Sequence, residues 1–177
     1  MRCTPMEHAA HQPTLTVAQS MSLAWHHHEN GRREDAVMIS LRVLQIQPKN
    51  PDALHLLGVL AYEKGDHDKA VELITEAIRV HKKYAPMHGN LALAKLAKGD
   101  LAGAAASARK AFTLSPSYAD AHRVLGLVYH RKGKFKEAVQ EYERARGLGL
   151  DTSDLRSHLD KANEELSRDP TTGAPRA

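Results

Sequence analysis

The sequence predicts an all-α fold, a solenoid of four helix hairpins followed by a helix that caps its C-terminal end. Alanine recurs at an interval of 34 residues, at Ala36, Ala70, Ala104 and Ala138. A turn-forming segment with a glycine precedes each of these alanines, and the period stops near residue 152. A repeat of this length indicates stacked helical units, each of which buries its apolar face only against its neighbours.

The first helix of each repeat is expected to begin at Val17, Pro51, Ala85 and Ala119, which sets the repeats at 17–50, 51–84, 85–118 and 119–152. A glycine, as in Lys64-Gly65-Asp66, lies where each first helix should end, because helices often end on a left-handed residue. Small residues such as Gly58 and Gly126 are expected where two helices approach closely.

The ends of the array have their own signals. Thr16-Val17-Ala18-Gln19 has the form of a capping box and predicts the start of the first helix, after a flexible segment over 1–15. Residues 153–167 are predicted to form the capping helix, with Thr152 or Ser153 as its N-cap. Its narrow apolar stripe consists of Leu155, Leu159, Ala162 and Leu166. Residues 168–177 are predicted to be a disordered tail.

Composition and charge narrow the class of function. The 25 Lys and Arg residues are interleaved with 21 Asp and Glu along the chain, and aromatic residues make up 5%. A nucleic-acid partner is not expected, because its binders usually gather basic residues into a stripe with aromatics. No segment has the length and apolar character of a membrane span or an export signal, and Cys3 is the only cysteine. We therefore expect a cytoplasmic protein without a membrane partner.

Catalysis and metal binding are not predicted. The glycines are used in turns and helix contacts, and no nucleophile with its base, carboxylate pair or phosphate-binding loop stands out. Among the 12 histidines, His26, His27 and His28 are consecutive, but neighbours on a helix point about 100° apart and cannot all face one ion. We expect no enzyme activity, no cofactor and no metal site.

The repeats resemble the tetratricopeptide repeat (TPR). The fourth repeat matches its pattern best, with His122, Leu125-Gly126, Tyr129, Ala138, Tyr142 and Ala145. The resemblance implies a right-handed superhelix in which the first helices line a concave groove that holds an extended peptide or a helix. The groove positions of that family correspond here to Met21, Trp25, His28, His55, Val59, Tyr62, Asn90, Leu93, Arg123, Leu127 and His130.

This lining is mainly apolar and aromatic, which favours a hydrophobic or amphipathic peptide, with Trp25 and Tyr62 as the main anchors. Several of these side chains could instead only pack adjacent helices. The carboxylate clamp of chaperone-binding TPR domains is absent, since apolar Met21, Trp25 and Leu56 occupy its first positions. Of the asparagine ladder found in the O-GlcNAc transferase array, only Asn90 remains.

The predicted function is therefore that of an interaction or scaffold module that binds a protein or peptide ligand. Two alternatives stay open. The segments DALHLLGVLAYEKGDHDKAVELI and MHGNLALAKLAKGD are similar to arrays that precede glycosyltransferase or sulfotransferase domains, which implies an accessory subunit of such a system. Self-association through the exposed end of repeat one would make the chain a homo-oligomeric assembly protein.

Overall fold

The computed structural model describes residues 15–168, which form α-helices and no strands. Eight helices pair into four antiparallel hairpins, and a ninth follows them. The helices are α1 (Val17–Glu29), α2 (Arg33–Ile46), α3 (Pro51–Glu63), α4 (His67–Val80), α5 (Ala85–Ala97), α6 (Leu101–Leu114), α7 (Ala119–Arg131), α8 (Phe135–Gly147) and α9 (Ser153–Arg168). The all-α solenoid with a terminal helix is confirmed. The predicted flexible start and disordered tail fall almost entirely on 1–14 and 169–177, outside the described residues.

The two ends of the array are fixed by threonine caps. The Thr16 hydroxyl accepts a hydrogen bond from the Gln19 backbone N–H at 3.2 Å, and the Gln19 side chain accepts one from the Thr16 N–H at 2.9 Å. This reciprocal pair confirms the predicted capping box. At the other end, the Leu155 N–H donates to the Thr152 hydroxyl at 3.2 Å, so Thr152 caps α9. The last helix extends through Arg168, one residue beyond the predicted limit of 167.

Small residues set the distance between the paired helices. A methyl group built on Gly126 would overlap the ring of Tyr142, and one built on Gly58 would lie 2.5 Å from Cγ1 of Ile74. The four alanines of the 34-residue period are completely buried. Each second helix can therefore lie directly against the first helix of its own hairpin.

The core consists of clusters that each contain residues of neighbouring helix pairs, such as the cluster that joins Leu54 and Ile74 of the second hairpin to Met87 and Leu91 of the third. Leu56, Met87 and Val124, from successive first helices, are fully buried. The last helix closes this core, because Leu155 and Leu159 of α9 pack with the buried residues of α8. Over residues 15–168 no helix combines the length and the apolar character needed to cross a membrane.

Candidate functional site

The first helices present a row of half-buried apolar side chains, one from each repeat. Trp25, Val59, Leu93 and Leu127 occupy the ninth position of α1, α3, α5 and α7, and each is neither fully buried nor fully exposed. We call these four residues the position-nine row. Their partial exposure offers apolar surface that a ligand could cover without any rearrangement of the core.

An aromatic cluster surrounds Trp25 at the N-terminal end of the row. The Trp25 ring lies 5.7 Å from the His28 ring, edge to face, and 5.4 Å from the His55 ring, measured between centroids. His55 also contacts Tyr84, with ring centroids 6.2 Å apart. Residues of two repeats and the following loop thus hold the indole in a defined position.

Beside this cluster, Glu63 joins the first two hairpins. Its carboxylate accepts a hydrogen bond from Arg33 Nε at 2.7 Å and lies 2.8 Å from His28 Nε2. Burial alone would raise the pKa of Glu63, but the hydrogen bonds from Arg33 and His28 outweigh it and lower that pKa. Sequence reasoning missed Glu63, although Glu29 lies 34 residues before it at the same repeat position.

His55 and Asn90 form a polar contact between repeats two and three. The Asn90 side-chain amide lies 2.9 Å from His55 Nε2. Burial lowers the pKa of His55 from 6.5 to about 4, so the ring is neutral at pH 7. A neutral ring whose Nε2 carries no proton can accept a hydrogen bond from the Asn90 amide. Asn90 is consequently engaged within the protein rather than fully available to a peptide backbone.

Four of the predicted groove residues meet around one small cavity. Val59, Tyr62, Asn90 and Leu93 line it together with Ile74, and its volume is about 20 Å³. That is room for about one water molecule. These side chains are thus neighbours across α3 and α5, but the space between them is too small for a ligand side chain in this conformation.

Two predicted contact residues are too deeply buried for that role. Met21 is 4% exposed and belongs to the core cluster of the first two hairpins, and His55 is 3% exposed beneath Trp25 and Tyr84. Neither can touch a partner unless the hairpins move apart. The fifth position of these two repeats supports the groove from below and does not form its surface.

Other predicted groove residues have identifiable partners inside the protein. Tyr62 lies against His67 and His130 against Phe135, with ring centroids 5.4 Å apart in both cases. Both pairs join the end of a first helix to the start of the second helix of the same hairpin. Arg123 donates to the Asp120 carboxylate at 2.8 Å and remains partly exposed. Tyr62, Arg123 and His130 therefore each contact a neighbouring residue of the protein and keep part of the side chain exposed.

Comparison with known proteins assigns the repeats. Two tetratricopeptide repeat models match the chain, one over residues 23–94 and the other over 90–151. Together they span more than two thirds of its length. The chain belongs to the tetratricopeptide repeat family. No curated protein matches it.

Solved TPR structures share its architecture. A thermophilic TPR protein from Thermus thermophilus is 25% identical in sequence, with a TM-score of 0.75. The alignment covers 86% of this chain and 84% of that protein. The Sgt2 TPR domain from Aspergillus fumigatus is 25% identical, with a TM-score of 0.65, covering 72% and 85%. The first TPR domain of Spaghetti, bound to the HSP90 peptide SRMEEVD, is 23% identical, with a TM-score of 0.63, covering 67% and 94%. This last likeness shows the fold alone.

The histidines of this TPR array have separate partners. In the consecutive trio, His26 contacts the Asn30 side chain, His27 lies 3.8 Å from Asp35, and His28 binds Glu63. They point in different directions, as the helical geometry predicts. Between residues 15 and 168, no three His, Cys, Asp or Glu side chains come together as a metal site.

His88 and His122 are buried at the same repeat position. His88 Nε2 lies 3.0 Å from the Lys82 carbonyl, whereas His122 Nδ1 lies 2.6 Å from a carboxylate oxygen of Glu141. Phe112 packs edge to face on the His122 ring. His88 therefore connects α5 to the loop before it, and His122 connects α7 to α8.

A larger cleft adjoins the first hairpin and includes Glu63 and Arg33 in its lining. It has a volume of about 730 Å³ and lies between α2 and the end of α3. Its lining residues are Arg33, Glu34, Val37, Met38, Leu60, Glu63 and Lys64. None of the predicted groove residues is among them, and the sequence pattern contained no signal for this cleft.

Proposed function

We propose that this TPR protein binds a peptide or helix of a partner protein along its first helices, with the position-nine row as the apolar contact. The observation that carries the proposal is the row itself: four half-buried apolar side chains, one from each repeat, on one helix position. Large side chains that are held in place yet partly exposed lose little conformational entropy on binding. They suit the role of binding anchors.

The chemistry of the surroundings favours a hydrophobic or amphipathic ligand. Trp25 supplies the largest apolar surface and is held between His28 and His55. Two ion pairs lie beside the row, Glu63 with Arg33 and Asp120 with Arg123. A ligand charge would have to compete with these pairs, whereas an apolar side chain would only displace water.

The Spaghetti domain is bound to an acidic HSP90 peptide, but the same ligand is not proposed for this chain. Met21, Trp25 and Leu56 occupy positions at which chaperone-binding TPR domains carry amide or basic residues. Met21 and Leu56 are buried, and neither can hydrogen-bond to a carboxylate. We therefore expect SRMEEVD to be a negative control for this protein.

The test uses Trp25 as its own reporter, since it is the only tryptophan of the chain. Peptides selected from a display library against the full chain are titrated while tryptophan emission is followed. We expect the apolar ligands to change that emission and SRMEEVD to leave it unchanged. The change is expected because the ligand covers the exposed edge of the indole.

Variants then locate the binding surface. We expect Leu93→Ala/Leu127→Ala to weaken the selected peptides at least about tenfold, because truncated anchors commonly cost more than 1 kcal/mol each. The matched control is Leu148→Ala, which removes an exposed leucine outside the first helices. Peptides that bind this double variant as tightly as the wild type would contradict the groove proposal.

A further inference from the structure

The outer face of α2 is more apolar than an exposed helix face requires. We define this face by Glu34, Met38, Leu41, Arg42 and Gln45, all of which are exposed. Met38 is 55% exposed and Leu41 is 49% exposed. They are three residues apart and therefore lie side by side on the helix surface.

The other hairpins show that the fold does not need apolar residues at these positions. A shift of 34 residues moves Met38 and Leu41 onto Glu72 and Thr75 in α4. Further shifts give Ala106 and Arg109 in α6, and Gln140 and Glu143 in α8. The same helix position is thus polar or small in the three other second helices. Exposure of Met38 and Leu41 has a solvation cost that packing within the repeat does not explain.

A cleft adjoins this face, so that the surface beside it is concave. The 730 Å³ cleft between α2 and α3 is lined by the apolar side chains of Val37, Met38 and Leu60, together with the charged residues Arg33, Glu34, Glu63 and Lys64. An apolar side chain from another molecule could enter beside Met38. A cleft beside an exposed apolar face gives a partner more surface to contact than a single exposed residue does.

From these observations we propose that the outer face of α2 is a homodimer interface, in which α2 packs antiparallel against α2 of a second copy. The face is self-complementary in charge. Its N-terminal part carries Glu34 and its C-terminal part carries Arg42, and neither belongs to an ion pair within residues 15–168. An antiparallel arrangement that sets Met38 of each copy beside Leu41 of the other brings Glu34 within one helical turn of the second copy's Arg42.

The opposite end of the solenoid does not fit this face. It is closed by α9, whose exposed side chains include Asp154, Arg156, Asp160 and Lys161. A head-to-tail stack would bury these charges against Met38 and Leu41 at a desolvation cost. A symmetric pair of α2 helices buries the apolar residues against each other, and the association closes at two copies.

The first test measures the mass of the full chain by analytical ultracentrifugation between about 1 and 100 µM, where a concentration-dependent dimer would be seen. Met38→Glu/Leu41→Thr gives repeat one the residues that repeat two carries at these positions. We expect it to remain folded and to raise the dimer dissociation constant at least about tenfold. Ala106→Glu is the matched control, because it adds a charge at the same exposed position of α6, and it should dimerise as the wild type does.

The second test uses charge exchange, which distinguishes the proposed antiparallel arrangement from unspecific apolar association. Arg42→Glu and Glu34→Lys should each weaken their own homodimer through repulsion of like charges. An equimolar mixture of the two variants should recover a heterodimer, because both contacts then join opposite charges. A wild-type chain that stays monomeric over the whole range, or a mixture that associates no better than its separate components, would overturn the proposal.

Discussion

The buried histidine between repeats two and three should make the stability of the protein depend on pH in a way that one substitution removes. His55 lies beneath Trp25 and Tyr84 and contacts the Asn90 amide at 2.9 Å. Protonation would place a charge in this apolar setting and would turn Nε2 from an acceptor into a donor, opposite the donating amide of Asn90. The variant His55→Gln keeps a side-chain acceptor for Asn90 but cannot titrate.

The size of the effect follows from the pKa of His55, which burial lowers from 6.5 to about 4 in the folded protein. Between these two values the unfolded chain binds a proton and the folded chain does not, so stability falls as pH falls below 6.5. Because one pKa unit corresponds to about 1.4 kcal/mol, the loss is roughly 2 kcal/mol at pH 5 and about 3 kcal/mol near pH 4. Above pH 7 the contribution of His55 is constant.

The assay is urea unfolding followed by circular dichroism at pH 7, 6 and 5, for the wild type and His55→Gln. The carboxylates and other histidines titrate in both proteins, so the difference between them isolates His55. We expect the free energy of unfolding of the wild type to fall by roughly 2 kcal/mol more than that of the variant between pH 7 and 5. The control His26→Asn, which changes an exposed histidine that contacts Asn30 and not the residues around His55, should follow the wild type.

Equal pH dependence of the wild type and His55→Gln would refute this reasoning. It would mean that the imidazole is hydrated in the folded state or that the hairpins open around it when it is protonated.

Two further substitutions test the helix contacts and the terminal cap. We expect Gly126→Ala to lower the free energy of unfolding by about 1–3 kcal/mol, because the added methyl group meets the Tyr142 ring. The control Gly147→Ala has open space around the added methyl group and should be neutral or stabilising in the same urea titration. Thr152→Ala should lower the free energy of unfolding by about 1 kcal/mol, because the Leu155 N–H loses its hydrogen bond to the Thr152 hydroxyl. Amide hydrogen exchange should then accelerate first in α9. Uniform acceleration along the chain would contradict the assignment of Thr152 as the cap of this helix.

The fold could be predicted from the sequence because its determinants are local and recur. A left-handed glycine such as Gly65 ends each first helix, and an alanine at an invariant place in each second helix permits close packing. These features depend only on neighbours within one hairpin and on the fixed step between hairpins. The capping box at Thr16 is local for the same reason.

The surface of the groove was harder to predict because it depends on what the neighbouring hairpin supplies. The fifth position holds Met21 in α1, His55 in α3 and Arg123 in α7, and its exposure differs between repeats although the helix register is the same. Met21 joins the core formed with α2 and α3, whereas Arg123 turns to Asp120. A periodic sequence pattern predicts which position of the repeat a residue occupies, but it does not predict which residues of neighbouring repeats that residue contacts.

Glu63 illustrates the same limit for polar residues. Its partners, Arg33 and His28, lie 30 and 35 residues before it and belong to the preceding hairpin. A search for local charge pairs at helical spacing cannot find such a contact. The 34-residue period does offer a signal, since residues 34 apart occupy adjacent hairpins at the same height, and pairs close to this separation are the candidates to inspect.

The position-nine row and the dimer face of α2 share no residue. The position-nine row lies on the first helices, whereas the dimer face consists of the exposed side chains of α2. A dimer through α2 would therefore leave both rows open and would carry two ligand-binding grooves. A partner with two copies of the ligand would bind such a dimer through both grooves, and the second contact would form at a high effective concentration. Met38→Glu/Leu41→Thr would then weaken binding of the divalent partner while leaving a single peptide unaffected, which separates the roles of the two surfaces.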